Sequence, residues 1–349
     1  MVSTLTDDKR AAIAEKLADM KAIQNLLISI EQQFLEKSDE REIEERLNKM
    51  LEDDQKNLGI IETVITQYGI QAEPKPAITE MVEKTQQIMS SSDLTMYEKA
   101  VQHELLKHGQ VMSGLVVHKA AQIVGADVEA AITPLNTVNF ENRAHQEQLK
   151  GILEVFGTRQ LTGQDPDRGV WARVQDAMAA VTGIFGSGVT QASDKSDMNI
   201  QDVIRMDHQK VNILIAEIEG SDDPKKIEEY FGQMYMDLSV HSEAEEQIVY
   251  PAVRSFYGDE NTQELYDEQA QLKTVLSEMK SYDPTSSEFK SKLQQVKEMV
   301  GDHTRQEEST MFAAIRNNCS TEQQEQMATQ FKEAKQQLQT QMSKESAAA

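Results

Sequence analysis

Apolar residues recur at helical spacing along most of the chain, with polar side chains on the opposite face of each repeat. The first apolar stripe covers residues 13–35, and a second at 43–65 is followed by Gly69, a common helix stop. After a crossover, two further helical patterns occupy about 93–125 and 127–156. Two helical hairpins joined by a long crossover predict a ferritin-like four-helix bundle.

The same helical period resumes after a glycine-rich stretch. Breaks near residues 220–224, 257–259 and 282–284 divide the segment 200–318 into four further helices. The sequence therefore predicts an all-α protein with two up-down four-helix bundles. The expected units are a first bundle at 8–158, a Gly-rich connector with a short amphipathic helix at 159–198, a second bundle at 199–318 and a helical tail at 319–349.

The connector contains one apolar helix, whose stripe from Trp171 to Phe185 repeats at intervals of three and four residues. We expect this stripe to dock on one of the bundles. The alternative is a surface for a protein partner or for a homo-oligomer, such as a dimer. The tail at 319–349 carries a similar stripe and has the same two interpretations.

Charge and cysteine content narrow the range of functions. The chain of 349 residues has 59 acidic and 35 basic side chains, a net charge of −24, without the basic cluster that a nucleic-acid groove binder needs. One cysteine, Cys319, excludes an internal disulfide or a multi-cysteine metal site. We expect a cytoplasmic protein that has no membrane span and does not bind nucleic acid.

Candidate chemistry lies in the second bundle. His241 is followed by Glu245, and His303 by Glu307, so both pairs have i and i+4 spacing. Residues four apart lie on one helix face, about 6 Å apart along the axis. Each pair can therefore present an imidazole and a carboxylate to one metal site.

The predicted turns place further residues at the same height. In an antiparallel hairpin, two residues are level when the turn lies midway between them. By this test His208 is level with His241, and Gln269 is level with both His241 and His303. The sequence thus predicts one layer that contains three histidines, two carboxylates and one amide.

Around these residues the sequence resembles the bacterial hemerythrin-like family with the His-His-Glu (HHE) cation-binding domain. The resemblance rests on MDHQKV, HSEAEEQIVYPAVR and HTRQEESTMFAAIR, within about 200–318. It implies a non-haem iron centre, usually with two irons. The residues it implies as ligands are His208, His241, Glu245, His303 and Glu307.

Gln269 departs from the pattern of that family, which has a histidine on the third helix. A neutral amide is a poor iron ligand, and the neighbouring Glu268 points about 100° away around the helix. The substitution leaves three alternatives: an open coordination position, a single metal, or a site with partial or no metal.

The first bundle resembles the stress-associated ferritin-like proteins of the YciE/YciF type through LADMKAIQNLL, VQHELLKHGQ and NFENRAHQEQL. A ferritin-like di-iron site needs Glu on two helices and Glu-x-x-His on the other two. Here Gln24 stands at the expected Glu. The pairs Glu104–His108 and Glu141–His145 have a spacing of four instead of three. We therefore expect polar core or surface residues here rather than a metal.

These features favour a non-haem iron protein that binds, senses or reduces a small oxidant such as dioxygen, nitric oxide or peroxide, or that handles iron under stress. A reaction at the position left open by Gln269 would make it an oxidoreductase. The alternative is a metal-poor helical scaffold that acts through protein–protein contacts.

Overall fold

The computed structural model describes residues 8–38, 40–166, 169–185 and 199–348, and every element in those ranges is helical. This confirms the all-α prediction. No helix in the described part of the chain combines the length and hydropathy required to cross a bilayer.

The first bundle consists of four long helices that contact one another in a ring, with shorter helices in its connections. Its helices are α1 (Asp8–Lys37), α2 (Arg41–Tyr68), α3 (Pro76–Ser90), α4 (Met96–Val124), α5 (Ala126–Ile132), α6 (Leu135–Thr162) and α7 (Val170–Phe185). The crossover after α2 contains α3, which packs on α1. The segment expected as one helix at 127–156 is divided into α5 and α6 by the turn at Thr133 and Pro134. Pro134 lacks the N–H that a continuous helix requires.

The second bundle also has four long helical segments, and two of them contain a π-helical turn. Its helices are α8 (Ile200–Gly220), α9 (Pro224–Ala244), α10 (Tyr250–Tyr257), α11 (Asp259–Met279), α12 (Ser287–Gln306), α13 (Phe312–Asn318) and the tail helix α14 (Thr321–Ala348). The π-turns span Glu245–Val249, between α9 and α10, and Glu307–Met311, between α12 and α13. Each bundle buries its own apolar clusters.

The connector helix and the tail both pack within the chain. Val170 and Val174 of α7 are buried, and Arg46 stacks over the Trp171 ring with 4.2 Å between Cζ and the ring centroid. Met327 and Phe331 of α14 are buried in the second bundle. The end of the stripe that contains Trp171 therefore packs against the first bundle. The far end of the stripe at Phe185 carries side chains outside the described part of the chain, as do connector residues 186–198.

Polar contacts join the two bundles. α2 is capped at its C-terminal end by Gly69, which has a φ of 81° in the left-handed region that favours glycine. Lys210 of α8 donates to the carbonyl oxygens of Gln67 (2.7 Å) and Tyr68 (3.2 Å), at this helix end. A cation at a helix C-terminus is favourable. Lys332 of α14 donates to Thr63 Oγ1 across 3.1 Å, so the tail helix touches both bundles.

Candidate metal centre

The two π-turns begin at the two glutamates of the predicted layer, Glu245 and Glu307. A π-turn inserts one extra residue into a helix, and such turns are frequent at functional sites. Both carboxylates are fully buried, next to the helices that carry His241 and His303. The local helix geometry thus directs both glutamates into the bundle interior.

Four side chains converge on one point in this layer. Potential ligand atoms of His208, His241, Glu245 and Glu307 all lie within 4.8 Å of one another, and all four residues are buried. His208 Nε2 lies 3.2 Å from Glu307 Oε2, and His241 Nε2 lies 3.1 Å from Glu245 Oε2. Three helical segments distant in sequence supply these atoms, as the turn positions predict.

One atom of each of these four side chains is buried with no partner in hydrogen-bond geometry, although the two imidazole nitrogens lie within ion-pair distance of the carboxylates. The atoms are His208 Nε2, His241 Nε2, Glu245 Oε1 and Glu307 Oε2. A buried polar atom without a partner carries a desolvation cost of about 1–3 kcal/mol. Two imidazole nitrogens and two carboxylate oxygens directed at one point form a donor set that suits a divalent metal. These residues therefore fit a metal ion.

The three histidines each place their other ring nitrogen against an outer carboxylate. The Nδ1 contacts are His208 with Glu308 (2.8 Å), His241 with Asp207 (2.9 Å) and His303 with Glu268 (2.6 Å). Metal-binding histidines characteristically donate their second N–H in this way, which leaves Nε2 for the metal. Glu268 therefore pairs with His303 from outside the layer.

The tail helix extends this outer shell. Lys335 Nζ donates to Asp207 Oδ1 across 2.5 Å, while Asp207 Oδ2 faces His241. Both the lysine and the aspartate are buried. Burial opposes ionisation of Asp207, but the charges of Lys335 and His241 outweigh it and lower its pKa. The ammonium group therefore neutralises the carboxylate that orients His241.

The other half of the layer is held by hydrogen bonds. Gln269 Nε2 lies 2.9 Å from His303 Nε2 and donates to Glu245 Oε2 across 3.0 Å. Ser242 Oγ donates to Gln269 Oε1, which fixes the orientation of the amide. His303 Nε2 is also 3.4 Å from Glu307 Oε1. The amide nitrogen, which donates to Glu245, thus occupies the space beside His303 Nε2.

Tyr250 is a residue of this layer that the sequence analysis missed. Its fully buried hydroxyl donates to Glu307 Oε1 across 2.9 Å and accepts from Gln269 Nε2 across 3.1 Å. Burial, together with the nearby charges of Glu245 and Glu307, raises the pKa of Tyr250 well above its usual value. The hydroxyl therefore keeps its proton and remains a donor to the carboxylates.

Nearby carboxylates raise the pKa of two of the histidines, His241 and His303, while no metal is bound. Burial opposes protonation of His241, but the carboxylates of Glu245 and Asp207 outweigh it and raise its pKa to about 10. In the same way, Glu307 and Glu268 raise the pKa of His303 to about 9 against the effect of burial. A metal that binds here therefore replaces protons on the imidazoles.

A cavity of about 10 Å³ adjoins the layer and is lined by all three histidines and by Gln269. This is about the volume needed to hold one water molecule. Apolar side chains, including Val211 and Leu272, line the rest of the cavity. The space next to the candidate metal position therefore suits a ligand of very few atoms.

All six residues predicted for this site lie together in the buried layer. They are His208, His241, Glu245, Gln269, His303 and Glu307. The outer residues Asp207 and Glu308 directly adjoin His208 and Glu307 in the sequence. An acidic residue next to a predicted ligand could therefore have indicated the carboxylates that hold the histidines. Lys335 had no such signal, because only the packing of α14 brings it to the site.

The corresponding layer of the first bundle is built around a buried lysine. Lys107 Nζ lies 3.2 Å from Glu31 Oε1, contacts Asp54 Oδ2 closely, and lies 3.0 Å from His145 Nδ1. His103 Nε2 lies 3.0 Å from the same oxygen of Glu31. All these residues are fully buried. The Lys107 ammonium group is thus the buried cation around which the carboxylates and histidines of this layer are arranged.

The predicted pairs of the first bundle have different locations. Glu104 and His108 contact Gln146 near the surface. His145 lies in the core, and together with Asp53 and Glu141 it forms a group whose potential ligand atoms are within 4.8 Å of one another. Unlike the four-residue group of the second bundle, this group is partly exposed through its two carboxylates.

Comparisons with known proteins agree with the geometry of the second bundle. A family model described as the hemerythrin HHE cation binding domain matches residues 199–315. The second bundle is therefore a hemerythrin HHE domain, and its buried His/Glu group supports metal binding there.

A full-length relative defines the family of the whole chain. The chain is 64% identical over 339 residues to a protein named DNA nickase from Nostoc sp. strain PCC 7120, and the match covers 97% of each protein. The chain belongs to the family of this Nostoc protein. No solved structure matches the chain.

Proposed function

We propose that the HHE domain of this chain binds non-haem iron and that the iron centre binds, senses or reduces a small oxidant. The observation that carries the proposal is the convergence of four unpartnered buried atoms, from His208, His241, Glu245 and Glu307. Mixed imidazole and carboxylate donors suit iron among the divalent metals. Bound iron would supply the redox chemistry that protein side chains lack.

The chain's own residues would orient the ligands and control access. Asp207, Glu268 and Glu308 hold the imidazole rings by their Nδ1 atoms. Tyr250 and Gln269 present hydrogen-bond donors within the layer. The cavity of about 10 Å³ and the burial of every candidate ligand favour dioxygen, nitric oxide or peroxide over a larger substrate.

We propose that one metal position is strong and that the second is weak. The strong position uses the four unpartnered atoms. A di-iron centre, which the family resemblance implies, also requires His303, whose Nε2 already faces the amide nitrogen of Gln269. A second iron must displace this amide. We therefore expect this chain to bind one iron under conditions in which a centre with a histidine at position 269 binds two.

A reconstitution experiment tests this function. The full chain is loaded anaerobically with ferrous iron, and its absorption spectrum is recorded before and after addition of dioxygen, nitric oxide or peroxide. We expect a spectral change that His208→Ala abolishes and that the matched control His118→Ala, in the first bundle, retains. Iron binding without a response to any of the three oxidants would contradict the oxidant function and favour iron handling. Absence of iron would favour the metal-poor scaffold.

DNA nicking is a second candidate function, and the name of the Nostoc relative favours it. The HHE layer is buried, so a phosphodiester cannot reach it. The partly exposed group of Asp53, Glu141 and His145 is a better candidate, because metal-assisted hydrolysis of a nucleic acid needs an accessible metal. The net charge of −24 opposes DNA binding.

A plasmid assay distinguishes the two sites. The full chain is incubated with supercoiled plasmid and Mg²⁺ or Mn²⁺, and relaxed circles are quantified. Loss of nicking in Asp53→Asn, but not in His241→Ala, assigns the activity to the first bundle. Loss of nicking in His241→Ala, but not in Asp53→Asn, assigns the activity to the HHE domain. Because that layer is buried, the DNA would then be cut by a small diffusible product of the HHE site. Equal activity in both variants, or none in the parent chain, contradicts nicking by either site.

A further inference from the structure

The outward face of α4 is unusually apolar for a protein of this charge. Seven large apolar side chains are exposed among the described residues, and five of them lie on this one helix. They are Leu105, Met112, Leu115, Val116 and Ile123. The most exposed of the five, Ile123, has 78% of its surface accessible. A concentration of this kind on a single helix is typical of an interaction surface.

The exposed positions of α4 form a regular seam. Leu105, Gly109, Met112, Val116, Lys119 and Ile123 are separated by 4, 3, 4, 3 and 4 residues. This spacing is that of a helix which packs along another helix in a coiled coil. The seam runs over 19 residues, and the 18 steps from Leu105 to Ile123 correspond to ~27 Å of helix at 1.5 Å per residue.

The seam has the same pattern when it is read in either direction. In an antiparallel pair of copies whose centre is at residue 114, Leu105 faces Ile123 of the second copy, and Met112 faces Val116. Gly109 then faces Lys119, whose long side chain needs space. A Cβ atom placed on Gly109 would meet nothing within 4 Å, so this space is present. The seam is therefore complementary to itself.

The charge distribution also favours a second copy as the occupant. Two copies with a net charge of −24 each repel one another over most of their surfaces. None of the exposed residues of α4 is acidic, and the charged one among them is Lys119. Two copies can therefore meet at this face without bringing carboxylates together. A positively charged partner would not need a face free of carboxylates, so this feature favours a second copy.

We propose that this chain forms a two-fold symmetric dimer through antiparallel packing of α4 against α4 of a second copy. A two-fold contact uses the same patch on both copies, as the seam requires. The Trp171 end of the connector stripe and the tail, which the sequence offered as alternative surfaces for an oligomer, pack within the chain instead. The dimer contact lies in the first bundle and does not depend on metal in the HHE domain.

Sedimentation equilibrium of the full chain over a concentration series tests the dimer. We expect a dimer whose dissociation constant rises roughly tenfold or more in Val116→Asp, since 1.4 kcal/mol corresponds to tenfold. The matched control is Leu161→Asp, which changes a side chain that is 82% exposed at the end of α6, outside the seam. A monomer at every concentration, or equal weakening by both variants, overturns the proposal.

Disulfide cross-linking tests the antiparallel orientation in a Cys319→Ser background. The double variant Leu105→Cys, Ile123→Cys should form a covalent dimer on oxidation, because these positions face each other between copies. Each single variant should remain monomeric under denaturing electrophoresis. In an antiparallel pair, position 105 of one copy lies far from position 105 of the other copy, and the same holds for position 123. Cross-linking of the single variants indicates a parallel pair and overturns the proposed geometry. Circular dichroism confirms that each variant is folded.

Discussion

Lys335 of α14 and Asp207 of α8 form a buried ion pair, with 2.5 Å between Nζ and Oδ1. Asp207 also holds the Nδ1 atom of His241, one of the four residues proposed to bind metal. Lys335 lies outside the segment 199–315 that matches the HHE domain. The tail helix of this chain therefore completes a shell that the domain alone lacks.

Removal of this ammonium should destabilise the metal-free protein. In Lys335→Met the buried carboxylate of Asp207 loses its cation, and breaking a buried pair in this way costs about 3–5 kcal/mol. Lys332→Met is the matched control on the same helix, since its hydrogen bond to Thr63 is only partly buried and should cost about 1 kcal/mol. Urea unfolding in the presence of a chelator measures both values. Equal losses would contradict a specific role for Lys335.

Replacement of Gln269 by histidine should add a second metal position. The imidazole nitrogen is a stronger donor to iron than the amide, and Gln269→His removes the N–H groups that now face His303 and Glu245. We expect the iron content per chain to rise from one towards two. Gln269→Ala is the control, because it removes the same hydrogen bonds without adding a ligand. An unchanged iron content in Gln269→His would show that residue 269 does not limit loading.

Glu31 should make the stability of the first bundle depend on pH. Burial raises the pKa of Glu31 from 4.5 to about 8, against the opposing charge of Lys107. The folded state therefore binds this proton more tightly than the unfolded state does. Proton binding to Glu31 therefore adds to the free energy of unfolding. This contribution is complete below about pH 4.5 and is lost as the pH rises towards 8.

Unfolding experiments on metal-free protein at several pH values check this prediction. Glu31→Gln should flatten the fall in unfolding free energy between pH 5 and pH 8, because the amide does not titrate. Glu36→Gln, which changes an exposed residue of the same helix, should leave the fall unchanged. If both variants show the slope of the parent chain, Glu31 is already ionised at low pH.

The sequence was sufficient to predict the all-α fold and the position of the buried layer. Helix geometry is regular, so two residues four apart, such as His241 and Glu245, must share a face. Short turns fix the register of neighbouring helices, which placed His208 and Gln269 at the same height. These inferences used only local spacing, and the structure brings all these residues together.

Other features depend on packing that spacing does not encode. A lysine such as Lys107 or Lys335 has the same pattern in a helix whether it faces solvent or a buried carboxylate. Tyr250 looks like an ordinary apolar position of its helix, although its hydroxyl lies between two carboxylates. The exposed seam on α4 likewise has the spacing of a core stripe, and only the fold shows that it faces outward.

The iron content of the purified full chain tests the central claim most directly. Protein prepared without chelator is analysed by mass spectrometry for metals, alongside His241→Ala and His145→Ala. His241→Ala removes one of the four proposed ligands, whereas His145→Ala changes a buried histidine of the first bundle next to Lys107. We expect about one iron per chain in the parent protein and in His145→Ala, and a loss of most of it in His241→Ala. Iron that persists in His241→Ala, or that is lost equally in both variants, would contradict a metal centre in the HHE layer.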